Sequence, residues 1–241
     1  TDSVLHEAYR QRQESLRELQ RLYRLRLRYL TLAARRTLRA EGNPDLLQPE
    51  QRHAIAQLRA LDRHHLNRVR TMLAEFDARF ASGSYGPIAE QTAEVAAIID
   101  GCAAVLITGG NVVVTLNRLL LFGLAPYLQA TNIIAWSAGA MVLSDNIVLF
   151  HDRLPQGRRD AEILAPGIGE LPGYVFLPDA KQRIRENDTA RAGAFCRRFA
   201  PDTCITLDSG SSLTFSGKTL VAASDARRIT TRGGFARVVP S

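Results

Sequence analysis

Residues 131–150 read TNIIAWSAGAMVLSDNIVLF, and the way Asn132–Ser137 hands over to Ala138–Val142 decides the fold. An extended apolar run enters a helix through Ser137-Ala138-Gly139-Ala140, which puts a serine on a tight strand-to-helix turn, the arrangement of a nucleophile elbow. Small neighbours permit close packing there. The first amides of a helix have no carbonyl partner within it, so the Ala138 N–H is a natural oxyanion donor. As spacing alone, a serine between Ala and Gly is common, and a serine left in a turn is the competing reading.

Working outward, AAVLITGG (103–110) is a second apolar run that ends in glycines, with backbone free to donate a second hydrogen bond at Gly110. Helical patterns precede it (AEQTAEVAAIIDG, 89–101) and follow it (TLNRLLLFGLAPYLQ, 115–129). Strands alternating with helices of this length predict a parallel sheet covered on both faces. Functional residues of such sheets sit at the carboxyl ends of the strands, where both TGGN (108–111) and WSAGA (136–140) fall. Asn111, Asp208 and Ser209 are wall positions at strand ends by this reading, and turn residues by the plainer one.

The N-terminal third has another character. Residues 3–40 lack Gly and Pro, and Leu5, Tyr9, Leu16, Leu19, Tyr23, Leu27 and Leu30 recur at helical spacing. EGNPD (41–45) breaks the pattern, and QPEQRHAIAQLRAL (48–61) is expected to restart it, with Pro49 in the first turn. Ile55, Leu58, Leu61, Leu66, Val69, Met72, Leu73, Phe76 and Phe80 line a second helical face. The expectation is a basic helical hairpin over 1–82 and an α/β domain over 83–241.

Of the net charge of +7, residues 1–80 carry +6, from 16 Arg against 10 Asp and Glu. Arg10, Arg17, Arg21, Arg24, Arg28 and Arg35 form a stripe beside the apolar one. It reads as a surface for nucleic acid, anionic lipid or acidic protein, or as a solvated face paired with Glu14 and Glu18. No aromatic stacking platform accompanies it.

Cys102, Cys196 and Cys204 form no CxxC pair, which argues against a disulfide framework and a zinc site and for reduced core thiols. No metal or cofactor is expected. No apolar run approaches the ~18 residues of a membrane span. With no signal-peptide pattern, a cytoplasmic location is the default expectation, and because the chain starts at Thr1 without Met, an upstream segment is expected to be missing.

LITGGNVVVTLNRL (106–119), IIAWSAGAMVLSDN (133–146), HDRLPQG (151–157) and ITLDSGSSLTFSG (205–217) together resemble the dipeptidase E and cyanophycinase family of serine peptidases, within the class I glutamine amidotransferase-like superfamily. The resemblance covers roughly residues 90–225. It implies a flavodoxin-like parallel sheet, Ser137 as nucleophile, the amides of Gly110 and Ala138 as oxyanion hole, and Asp152 as the triad carboxylate. It also implies small acidic peptides as substrates.

Two departures follow. The family's catalytic histidine directly follows a proline at a strand end, and here Pro178 is followed by Asp179. A serine hydroxyl needs a base near pKa 7, and an aspartate near 3.9 is a weak one. His151, the only histidine after Ser137, adjoins Asp152, and alternation along an extended segment points the two apart. His6, His53, His64 and His65 are read as surface or helix-packing residues. The family's first strands are also replaced by the helical hairpin, so the sheet lacks them or receives them from another chain. The expected function is a catalytically impaired, peptidase-E-like binding or structural subunit with a protein partner or a second copy. The alternatives are an active peptidase or amidase using Ser137, and nucleic-acid or anionic-surface binding through the arginines.

Overall fold

In the computed structural model, residues 2–80, 85–151 and 159–240 are described, the last residue of one strand and the first of the next (His151 and Arg159) by backbone only. Two 36-residue helices open the chain, α1 (Ser3–Leu38) and α2 (Pro44–Arg79). Each is about 54 Å long. They pack antiparallel: Tyr9 meets Phe76 edge to face, and Tyr23 stacks on His65 at 4.2 Å. Asp2 caps α1 by accepting from the Val4 and Leu5 amides.

The second helix starts earlier than its sequence pattern suggests. Asn43 Oδ1 accepts from Asp45 N and Pro44 takes the first helical position, so α2 begins at Pro44 and Pro49 lies inside it. The cap and a proline with pre-set φ outweigh the single backbone bond that Pro49 cannot make.

The remaining elements are α3 (Gly86–Asp100), β1 (Ala104–Ile107), α4 (Val112–Leu121), α5 (Ala125–Leu128), β2 (Asn132–Ala135), α6 (Ala138–Val142), β3 (Asn146–His151) and β4 (Arg159–Pro166). Then come β5 (Tyr174–Pro178), α7 (Ala180–Arg183), α8 (Thr189–Phe199), β6 (Thr203–Leu207), β7 (Ser212–Ser216), β8 (Thr219–Ser224), β9 (Arg227–Ile229) and β10 (Phe235–Arg237). The chain is therefore mixed α/β behind a long helical pair.

Among the described residues the strands form four small sheets. β1 and β2 are a parallel pair, β5 and β6 are parallel within the order β10-β9-β6-β5, and β3–β4 and β7–β8 are antiparallel pairs. The parallel βα alternation expected from sequence is present, but the two parallel pairs are not joined into one sheet. Leu106 and Ile134 pair in register, and with Trp136 they line a face of β1–β2 that no described element covers. Parallel sheets are normally buried on both faces.

The helical pair shares its core with the α/β part. Leu19, Leu66 and Val69 belong to the same apolar cluster as Ile107, Met141, Val142, Val175 and Leu177. Polar links reinforce this contact. Gln13 and Asn117 exchange amide hydrogen bonds between α1 and α4, Gln20 donates to Ile163 O, and Arg24 forks onto Glu162 at 2.5 and 2.8 Å.

The deepest link is charged. Arg198 of α8 donates from Nε and Nη2 to both Asp62 oxygens at 2.7 Å, from Nη2 to Tyr23 OH at 2.8 Å, and from Nη1 to Ala161 O at 2.7 Å. Tyr23 donates to Asp62 Oδ1 and accepts from Ile163 N. All three side chains are buried, and burial pushes the Tyr23 phenol well above its ordinary value.

Cys196 and Cys204 are buried free thiols, as the core-thiol reading expects, but Cys102 is exposed between α3 and β1. No described helix is long and apolar enough to cross a membrane.

Removing one partner of a buried pair strands the other charge. Arg198→Met or Asp62→Leu alone is expected to cost about 3–5 kcal/mol by chemical denaturation, and the double substitution to recover most of either loss. Additive losses would contradict the pairing.

His65 gives a pH signature. Burial lowers its pKa below the ordinary 6.5. The unfolded chain then takes up the proton at higher pH than the folded one. Stability is complete above about pH 6.5 and falls below it by up to ~1.4 kcal/mol per unit. His65→Phe should flatten that slope in denaturant titrations from pH 7 to 5, and an unchanged slope would contradict the assignment.

Candidate active site

The turn after β2 has a strained backbone. Ser137 has φ 54° and ψ −121°, a region that side-chain-bearing residues rarely occupy. Neighbouring contacts hold it there. Trp136 N donates to Ile107 O, Gly139 N to Trp136 O and Met141 N to Ser137 O. A Cβ on Gly139 would lie 2.0 Å from Ile107 O, so only glycine lets α6 approach the end of β1 this closely. Ala138, Gly139, Ala140, Met141 and Val142 are all buried.

The TGG loop after β1 stands beside the serine. A Cβ on Gly109 would meet Ser137 Cβ at 3.0 Å and Oγ at 3.3 Å. Gly110 has φ +122°, accessible to glycine at little cost. Among the described residues, neither Gly110 nor Ala138 donates its N–H to a backbone carbonyl. Asn111 accepts from the Val113 and Val114 amides at 3.0 and 3.3 Å, which makes its side-chain oxygen the cap of α4. Asp208 accepts from Lys181 N and from Arg227 and serves the β6 end of the fold.

The base is a different matter. Asp179 ends β5 in a left-handed conformation (φ 53°, ψ 40°), donates its N–H to Leu207 O, and caps the short α7 with its carbonyl. Its carboxylate is half exposed and lies 3.5 Å from the Arg183 guanidinium. Among the described residues no side chain hydrogen-bonds the Ser137 hydroxyl. His65 is buried between α1 and α2, far along the chain from this turn, where it stacks on Tyr23. Asp152 and the His151 side chain lie outside the described residues.

The arginine stripe divides. Arg10 pairs with Glu7 and Glu14, and Arg21 with Glu18, within α1. Arg24 pairs with Glu162 and Arg35 with Asp160, both on β4. Arg17 and Arg28 have no ion-pair partner among the described residues. The stripe is thus partly a solvated face, as its plainer reading holds, and partly a docking seam for β4, which the sequence does not signal. Arg12 was also invisible: its guanidinium is buried 3.9 Å from the Phe76 ring centre, and burial lowers its pKa.

No protein-family model matches the chain, and no curated protein matches it.

Gly139→Ala is expected to cost at least about 2 kcal/mol, because the added methyl meets a backbone carbonyl rather than a movable side chain. Thermal or denaturant unfolding checks this, and a neutral substitution would contradict the close approach.

Proposed function

We propose that this chain is a peptidase-E-like domain whose serine turn is retained without the base that would activate it, and that it works as a binding or structural subunit. On this reading the β1–β2 and β5–β6 pairs are portions of a flavodoxin-like sheet that is short of its first strands. The observation that carries the proposal is the residue after Pro178. Asp179 stands where a histidine is needed, and its carboxylate is turned to Arg183. A half-exposed carboxylate paired with a guanidinium is an acceptor already engaged and a poor carrier of the serine proton. Loss of one member of a catalytic triad costs roughly 10⁴ to 10⁶ in rate.

The uncovered apolar face of β1–β2 supports the subunit half of the reading. Leu106 and Ile134 are more than half exposed, and Trp136 nearly so, on a sheet type that is ordinarily covered. A hydrolase reading draws on one observation, the strained φ and ψ of Ser137, which natural chains seldom keep without use.

A fluorophosphonate probe separates the two. The wild type is expected to stay unlabelled at Ser137 and Asp179→His to gain labelling, with Ser137→Ala as the blank. Labelling of the wild type at Ser137 would restore the hydrolase.

A further inference from the structure

The outer face of α1 carries apolar residues that no part of this chain covers. Leu22, Leu25, Tyr29 and Leu32 follow one another at steps of three, four and three. Their exposures are 44, 54, 70 and 47%. This is the spacing of a coiled-coil seam, and it lies opposite the face that buries Leu19, Tyr23, Leu27 and Ala34 against α2. Helices apolar on two opposite faces ordinarily bury both.

Beside the seam runs a groove of about 1170 Å³, between α1 and the Arg185–Arg191 segment. Its three carboxylates are already neutralised: Glu162 by Arg24, Asp160 by Arg35 and Asp188 by Arg39. Arg28, Arg36 and Arg185 line the same groove and have no carboxylate within ion-pair distance among the described residues. Leu32 belongs to both the seam and the groove, so the two form one continuous surface.

We infer that this surface is a docking site for an acidic amphipathic helix of a partner protein, its leucines in the Leu22–Leu32 seam and its carboxylates on Arg28, Arg36 and Arg185. Charge decides among occupants. In a heptad with Leu22 and Leu25 at the core positions, the flanks are Arg21, Arg26 and Arg28, so a second copy of α1 would set arginine against arginine. Shape argues against a bilayer, which is flat and would not enter a groove walled by Arg185 and Asp188. Four bulky apolar side chains with a single aromatic among them offer an RNA strand little to stack on. Helix-in-groove recognition uses what is present: apolar anchors at helical spacing, flanked by charges of one sign. This inference stands on α1 and the Arg185–Arg191 segment and does not depend on the state of Ser137.

The test uses the full chain and a synthetic helical peptide of about three heptads, with Leu at the core positions and Glu at the flanks. Two control peptides replace Glu by Lys, or Leu by Ser. Anionic phosphatidylserine vesicles and a single-stranded RNA of about 20 nucleotides are run in parallel. The Leu/Glu peptide is expected to bind and both controls to fail. Arg28→Glu with Arg36→Glu, and separately Leu25→Ser with Tyr29→Ser, should each weaken binding by about tenfold or more. These side chains are exposed, so the far-ultraviolet circular dichroism and thermal midpoint should not move. Equal binding of the Ser control would reduce the surface to non-specific charge and overturn the proposal. So would tighter binding of vesicles or RNA that the same variants abolish, or no peptide binding at all.

Discussion

The fold turns on one buried charge cluster. Arg198, Asp62 and Tyr23 come from α8, α2 and α1, and through Ala161 and Ile163 they also reach β4. Every strong donor or acceptor in the cluster meets a partner at 2.7–3.2 Å, which is the condition under which buried charge is tolerated. Because the cluster joins four elements, the helical pair is not an appendage. Its inner face is held against the α/β part by charge, by the Gln13–Asn117 amide pair and by a shared apolar core. Its outer face is thereby presented in a fixed orientation.

That constraint explains how the arginines of α1 come to have different roles. Those turned towards β4 find Glu162 and Asp160 and help to seat the helix. Of those turned outward, Arg10 and Arg21 pair with acids of α1 itself, while Arg28 and Arg36 have no carboxylate within ion-pair distance among the described residues and lie near leucines that also lack a cover. The serine turn sits on a different part of the molecule and is built by sterics: Gly139 against Ile107 O and Gly109 against Ser137. The contacts that hold this backbone are steric and do not involve Asp179.

Much of this was legible in the sequence for local reasons. Helical periodicity marks both long helices, and the small residues around Ser137 mark the strand-to-helix turn, since nothing larger fits there. The start of α2 is ambiguous in the sequence because Pro44, behind the Asn43 cap, and Pro49 both suit a first helical turn. Asp62 and Arg198 carry no signal in the sequence pattern, and only the packing of α1, α2 and α8 makes them buried partners. The apolar face of α1 read from periodicity includes Leu19, Tyr23 and Leu27, which are buried, whereas the exposed Leu22, Leu25 and Leu32 on its other side carry no separate signal in that pattern. Joining of the parallel pairs into one sheet depends on long-range pairing that no local pattern encodes.

The most direct measurement is the pH dependence of Ser137 acylation by p-nitrophenyl acetate, followed by intact mass, with Ser137→Ala as reference. A serine without a base should react slowly, at a rate that rises smoothly with hydroxide and shows no inflection between about pH 6 and 8. An inflection near neutrality, with a plateau above it, would reveal an imidazole-like base acting on Ser137 and contradict the account.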